Sequence, residues 1–154
     1  MTTQRIVTMI VALAVSATAV AQGTLSGEAR AKAEQTMSRY IALERAFDPA
    51  IADIYADDAV IRNKRTYPTG EVRDLTIAVA DYKALIRRTI PLAKASGDVS
   101  VYTGCTYAAE AARVRIACAR YSQLKGYSSP ISLLVGPGPA GAWLVFEELS
   151  ESRP

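Results

Sequence analysis

Ala33, Met37, Tyr40, Leu43 and Phe47 recur three or four residues apart, which puts them on one stripe of a helix, while Arg30, Glu34 and Arg45 fall elsewhere. Ser26 can cap this helix and Glu28 lies in its first turn, so the pattern predicts a helix from about residue 27 to about residue 46. Asp48-Pro49 then restarts a helix, with Asp as the cap and Pro at the first helical position. Ile51, Ile54 and Tyr55 form the buried side of this second, short helix. Asp57-Asp58 should end it, because short acids at a C-terminus oppose the helix dipole. From there the period changes to two. Over residues 60–67, Ile61, Asn63 and Arg65 share one face of a strand and Val60, Arg62 and Lys64 the other.

Pro68-Thr69-Gly70 is a turn, and a short extended piece follows near residues 72–76. Asp81 is expected to cap a third helix through about Thr89, with Pro91 kinking or ending it and Gly97 closing the segment. The remainder reads as strands over residues 99–107, 114–123, 131–135 and 143–149, separated by turn signals. Two helices, a strand, a helix and an antiparallel meander make an α+β pattern, with helices covering one face of a curved sheet.

At 154 residues, half of them apolar, the chain suits one domain with a substantial core. Its first residues form a different unit. Arg5 precedes an apolar run over residues 6–20, and Ala19-Val20-Ala21 is a small-residue cleavage site. The run is shorter than the roughly 20 residues of a membrane span. Residues 1–21 therefore read as a signal peptide cleaved after Ala21, an uncleaved anchor being the alternative, and residues 22–154 as the folded domain of a periplasmic or secreted protein. Removing Arg5 from the 18 basic residues leaves 17 against 15 acidic ones, a net of +2 that argues for neither nucleic acid nor an anionic membrane. The chain has no His, which removes the commonest general base and metal ligand. It also lacks metal-ligand spacings and phosphate-binding glycine loops, so no metal or cofactor is expected.

Cys105 and Cys118 fit an oxidising compartment. A hairpin centred between Ala111 and Ala112 sets them directly opposite, at a Cα separation of about 4.5 Å that a disulfide can span. Two buried thiols are the alternative. The same register sets Tyr102 opposite Tyr121 as a cross-strand aromatic pair.

The runs Met37-Ser-Arg-Tyr-Ile41 and Tyr55-Ala-Asp-Asp-Ala59 resemble the nuclear transport factor 2-like superfamily, and their spacing is similar to that of the bacterial ketosteroid isomerases. The resemblance covers about residues 26–151. It implies a cone-shaped fold with an apolar pocket between the long helix and the concave sheet. In the isomerase pattern a Tyr of the first helix, matched by Tyr40, donates to the substrate oxyanion, and a second Tyr, matched by Tyr55, supports it. The catalytic base lies eight residues further on, where this chain has Asn63. An amide has no basic lone pair at neutral pH. The position of a second oxyanion donor, a protonated Asp, falls near Leu133, which is apolar.

The remaining candidates each carry two readings. Tyr40 is either a core tyrosine or a donor on a pocket wall. Asn63 points inward with Ile61 or satisfies a turn. Asp57 and Asp58 diverge at a helix end and read as solvated. Glu147 and Glu148 face opposite sides of the last strand, so one can enter the pocket, with Glu148 the candidate catalytic acid or base beside Tyr40. Trp143 and Phe146 likewise face opposite sides, and one of them should fill the cone. The expected pocket is thus Tyr40, Tyr55, Ile61, Asn63 and Phe146. The expected function is binding of a small apolar or aromatic ligand without catalysis. The alternatives are an isomerase or dehydratase using a sheet Glu, and a homodimeric interaction module joined through its sheet.

Overall fold

A computed structural model describes residues 24–153, so the expected signal peptide over residues 1–21 lies outside the described residues. Ser26 caps helix α1 (Gly27–Ala46), its side chain accepting from the Ala29 N–H. A short 3-10 helix (Pro49–Ile54) follows, capped by Asp48 with Pro49 at its start. Six residues give an α-helix too few i→i+4 bonds to be worth its nucleation, so the tighter winding is adopted instead. Strand β1 (Tyr55–Thr66) begins at once. The expected helix end at Asp57-Asp58 is therefore corrected: Tyr55 already pairs with Val145 of the last strand, and that ladder takes over the backbone three residues earlier.

Strand β2 (Val72–Ile77) returns along β1, and helix α2 (Val79–Ser96) crosses back over the sheet. Two expectations for α2 change. Asp81 lies in its first turn rather than at the cap, and the helix continues through Pro91. Proline forfeits one backbone bond, but Tyr82, Ile86 and Ile90 of the same helix still pack against the core. Gly97 (φ 67°) ends the helix, with its N–H on Lys94 O and the Asp98 N–H on Ala93 O. Strands β3 (Ser100–Glu110), β4 (Arg113–Ser122), β5 (Tyr127–Pro137) and β6 (Trp143–Ser152) form the meander. The six-stranded sheet has the order β2-β1-β6-β5-β4-β3, and every neighbouring pair is antiparallel except β1 and β6.

All three helices lie on one face of this sheet. Along that inner face runs a cross-strand row of Ile61, Glu148, Leu133 and Ile116, each fully buried. One step along the strands comes Asn63, Ser150, Ile131 and Cys118. Ala33, Met37 and Tyr40 of α1 close over these rows and complete the core. The opposite face carries Arg62, Leu149, Ser132 and Ala117, with no helix above it among the described residues.

Cys105 and Cys118 form the expected disulfide, with Cα atoms 4.2 Å apart. The turn register is as expected as far as Thr106, opposite Ala117. A bulge at Gly104 and Cys105 then shifts it, with Gly104 at φ 61°. Tyr102 therefore faces Arg120 and Tyr121 faces Val101, which corrects the expected Tyr102–Tyr121 pair. A second bulge makes Phe146 the extra residue of β6, so Trp143 and Phe146 both pack against the core instead of dividing between two faces. Among the described residues no helix is long and apolar enough to cross a membrane.

Candidate functional site

Helix α1, the start of β1 and α2 bring three tyrosines around one carboxyl. Glu148 is 2% exposed. Tyr55 Oη donates to its Oε2, and Tyr82 Oη donates to Oε1 at 3.0 Å. The Tyr55 and Tyr82 rings meet edge to face at 5.4 Å, and Tyr40 stands edge to face with Tyr102 at 5.9 Å. Burial first, and the neighbouring Glu148 second, push the Tyr40, Tyr55 and Tyr82 hydroxyls well above the ordinary tyrosine range, so they stay protonated donors. Leu133, where the resemblance expects a carboxyl, is apolar and buried, and Glu148 is its direct cross-strand neighbour.

Towards the open end of the sheet this cluster gives way to a cavity of about 270 Å³. The C-terminal turn of α1 contributes Glu44, α2 contributes Ile90, and the strand ends contribute Ser100, Arg120, Ser129 and Ser152. Arg120 donates from Nη2 to the Glu151 carbonyl at 3.2 Å. Among the described residues no carboxylate lies within ion-pair distance of its guanidinium. Burial would depress the Arg120 guanidinium, but Tyr40, Tyr102 and the carboxyls of Glu148 and Glu44 around it outweigh that and raise it. Ser129 is its cross-strand partner and is 6% exposed. Glu44 accepts from Ser100 Oγ at 3.0 Å, while its other oxygen and the Tyr102 hydroxyl are buried without a partner. Burial raises the Glu44 carboxyl above its ordinary value, with the Ser100 hydroxyl and the charge of Arg120 opposing the rise.

The five residues expected to share a pocket do not line one cavity. Tyr40 and Ile61 are packed into the core, and Tyr55, also buried, borders the same open hollow as Phe146. Asn63 lies nearer the mouth, where Ser152 Oγ donates to its Oδ1 at 2.7 Å and its Nδ2 donates to Ser150 Oγ at 3.0 Å. Phe146 is at the other end of the sheet, with the Arg113 guanidinium 3.5 Å from its ring centroid, beside an open hollow that includes Asp57 and Lys83. Of the two sheet glutamates, Glu148 is the inward one. Glu147 faces away from the helices and pairs with Arg115 at 2.7 Å. Asp57 pairs at the surface with Lys83 at 2.6 Å.

Tyr82, Glu44, Arg120 and Ser129 were not expected at a site. The signal for Arg120 was present: Val114, Ile116, Cys118 and Arg120 alternate along β4, so the strand that buries three small or apolar side chains also turns a charge inward.

No protein-family profile and no curated protein matches the chain. Solved structures do. A nuclear transport factor 2-like protein of unknown function from Pseudomonas putida KT2440 superposes with a TM-score of 0.64 at 15% identity, over 84% of this chain and 89% of that one. One with a cystatin-like fold from Novosphingobium aromaticivorans gives 0.55 at 18% identity, over 80% and 81%. A protein from Catenulispora acidiphila, solved in complex with S-DNPA, gives 0.53 at 16% identity, over 82% and 94%. These likenesses, together with the element order and the helix-covered curved sheet, show that the chain has the nuclear transport factor 2-like cone fold.

Proposed function

We propose that the protein is an exported binder of a small organic ligand, held without covalent chemistry at the mouth of the cone. The observation that carries this reading is the cavity under the end of α1, where a half-buried Arg120 and the buried Ser129 meet the apolar side chain of Ile90. Pockets of this kind, apolar walls with a few placed polar groups, are where small molecules bind. The catalytic alternative needs Glu148 to reach a substrate proton. Glu148 is sealed in the core and already accepts from two tyrosines, which favours a structural carboxyl over a working base. The fold neighbour solved in complex with S-DNPA is a precedent for a complex within this fold. Export rests on the signal-like residues 1–21 and on the disulfide, which suits an oxidising compartment.

Titrating the ¹⁵N-labelled protein with steroids, polyketides and aromatic acids tests the reading. Saturable shifts at Ser100, Arg120 and Ser129 are expected for at least one class. Absence of any shift there at millimolar concentration would overturn it.

A second reading is a homodimer joined through the helix-free face. That face has a hollow of about 380 Å³ lined by Ala117, Pro130 and Leu149, with Arg62, Lys64, Asp74 and Glu151 around it. Both charge signs on one apolar patch suit a two-fold contact, in which each acid meets the other copy's base.

A further inference from the structure

We propose that Arg120 and Ser129 form the anchor for a single carboxylate, so that the mouth cavity selects small monocarboxylic acids with a compact apolar or aromatic body. This rests on the reading of that cavity as a ligand site. A guanidinium has five N–H donors in a planar fork that matches a carboxylate. Within the protein Arg120 directs one hydrogen bond to the Glu151 carbonyl. With no carboxylate of the described residues in ion-pair range, it is a half-buried cation that lacks its usual partner. Ser129 stands directly across the ladder from it. Ser129 lines the same cavity, and its hydroxyl, in no side-chain hydrogen bond among the described residues, can add an O–H donor.

Charge and size narrow the ligand. Glu44 and Asp98 line the same cavity, and Lys125 is at its rim. Asp98 accepts from Ser122 Oγ at 3.0 Å. These carboxyls repel a second negative charge, which disfavours dicarboxylates and phosphate. The volume of about 270 Å³ lies just below the range of drug-sized ligand sites, so the acid is small. Ile90, Phe47 and Ala93 on the helical side provide an apolar wall for its body.

The test uses benzoate, neutral benzamide, cationic benzylamine and dianionic phthalate as probes, with calorimetry for affinity and amide shifts for location. Benzoate is expected to bind in the cavity about 10-fold more tightly than benzamide, as a charge-assisted fork should. Phthalate and benzylamine should be weaker still. Arg120→Gln should erase the preference for benzoate over benzamide, Arg120→Lys should keep part of it, and Ser129→Ala should weaken benzoate a few-fold. If Arg120→Gln fails to fold, the comparison of probes on the natural protein and on Ser129→Ala decides alone. Benzamide or benzylamine binding in the cavity as tightly as benzoate would overturn the carboxylate anchor and leave the ligand site standing. No probe shifting the cavity resonances, with no ligand found in the wider panel, would remove both.

Discussion

Glu148 and Glu44 are both interior carboxyls, but their surroundings assign them different work. Glu148 spends its oxygens on the Tyr55 and Tyr82 hydroxyls and ties β6 to β1 and α2. Replacing it with Ala leaves two buried hydroxyls without an acceptor and opens a void. We expect a loss of about 3 kcal/mol in urea unfolding, and about half of that for Glu148→Gln, which keeps one acceptor. Glu44 titrates above its ordinary value because of its burial. Burial raises its folded pKa above the 4.5 of an exposed glutamate, so the folded state binds its proton more tightly than the unfolded one. That contribution is fully present below pH 4.5 and is lost as pH rises through the raised folded value. Glu44→Gln should therefore remove a fall in stability between the ordinary glutamate range and the raised value. Thermal midpoints of both proteins measured across that interval check this; parallel curves would contradict it. Arg120, by contrast, could have been found in advance, because period-two alternation along β4 marks it as inward. Tyr82 and Glu44 could not, since helix periodicity identifies a face without saying which hydroxyl meets which carboxyl.

The elements that were legible carried local signals. Ser26, Asp48-Pro49 and Gly97 mark helix ends by satisfying backbone groups within a turn or two, and the structure uses all three. The misread boundaries have non-local causes. Tyr55 joins a strand because Val145, ninety residues later, offers it a ladder. Thr103 and Tyr102 leave the simple hairpin register because Gly104 permits a bulge. Cys105 is itself one of the two bulge residues, and it still faces Cys118 closely enough for the disulfide. Closing a loop of 13 residues, Cys105–Cys118 should contribute about 3 kcal/mol by restricting the unfolded chain. Reduction under native conditions, or replacing both cysteines with Ser, is expected to lower the unfolding free energy by that amount without changing the far-ultraviolet circular dichroism. An unchanged midpoint would mean that the bulged hairpin is held entirely by its ladder.

At the scale of the molecule, the sheet divides labour between its faces. The inner face has its helices and its cavity. The outer face has Leu149 at 36% exposure and Val60 at 37%, with Ala117 and Pro130 beside a hollow, and no helix among the described residues over them. Exposed apolar surface framed by charge is the usual mark of an interface. The charges also explain why such a face need not aggregate indiscriminately: Arg115 is clamped between Glu110 and Glu147, and Lys64 and Arg62 stand near Asp74 and Glu151, so a partner must present the same pattern reversed. A two-fold copy of this chain would do so if the axis set each acid against the other copy's base. Sedimentation at micromolar concentration should therefore show a dimer. Leu149→Lys puts a like charge against its own symmetry mate across the axis and should return the protein to a monomer with its fold and its cavity affinity intact. A natural protein that stays monomeric at every accessible concentration would leave the outer face without a partner in itself. Loss of ligand binding in the monomeric variant would instead tie the two faces together, because the β6 strand that carries Leu149 outward carries Glu148 and Ser152 inward.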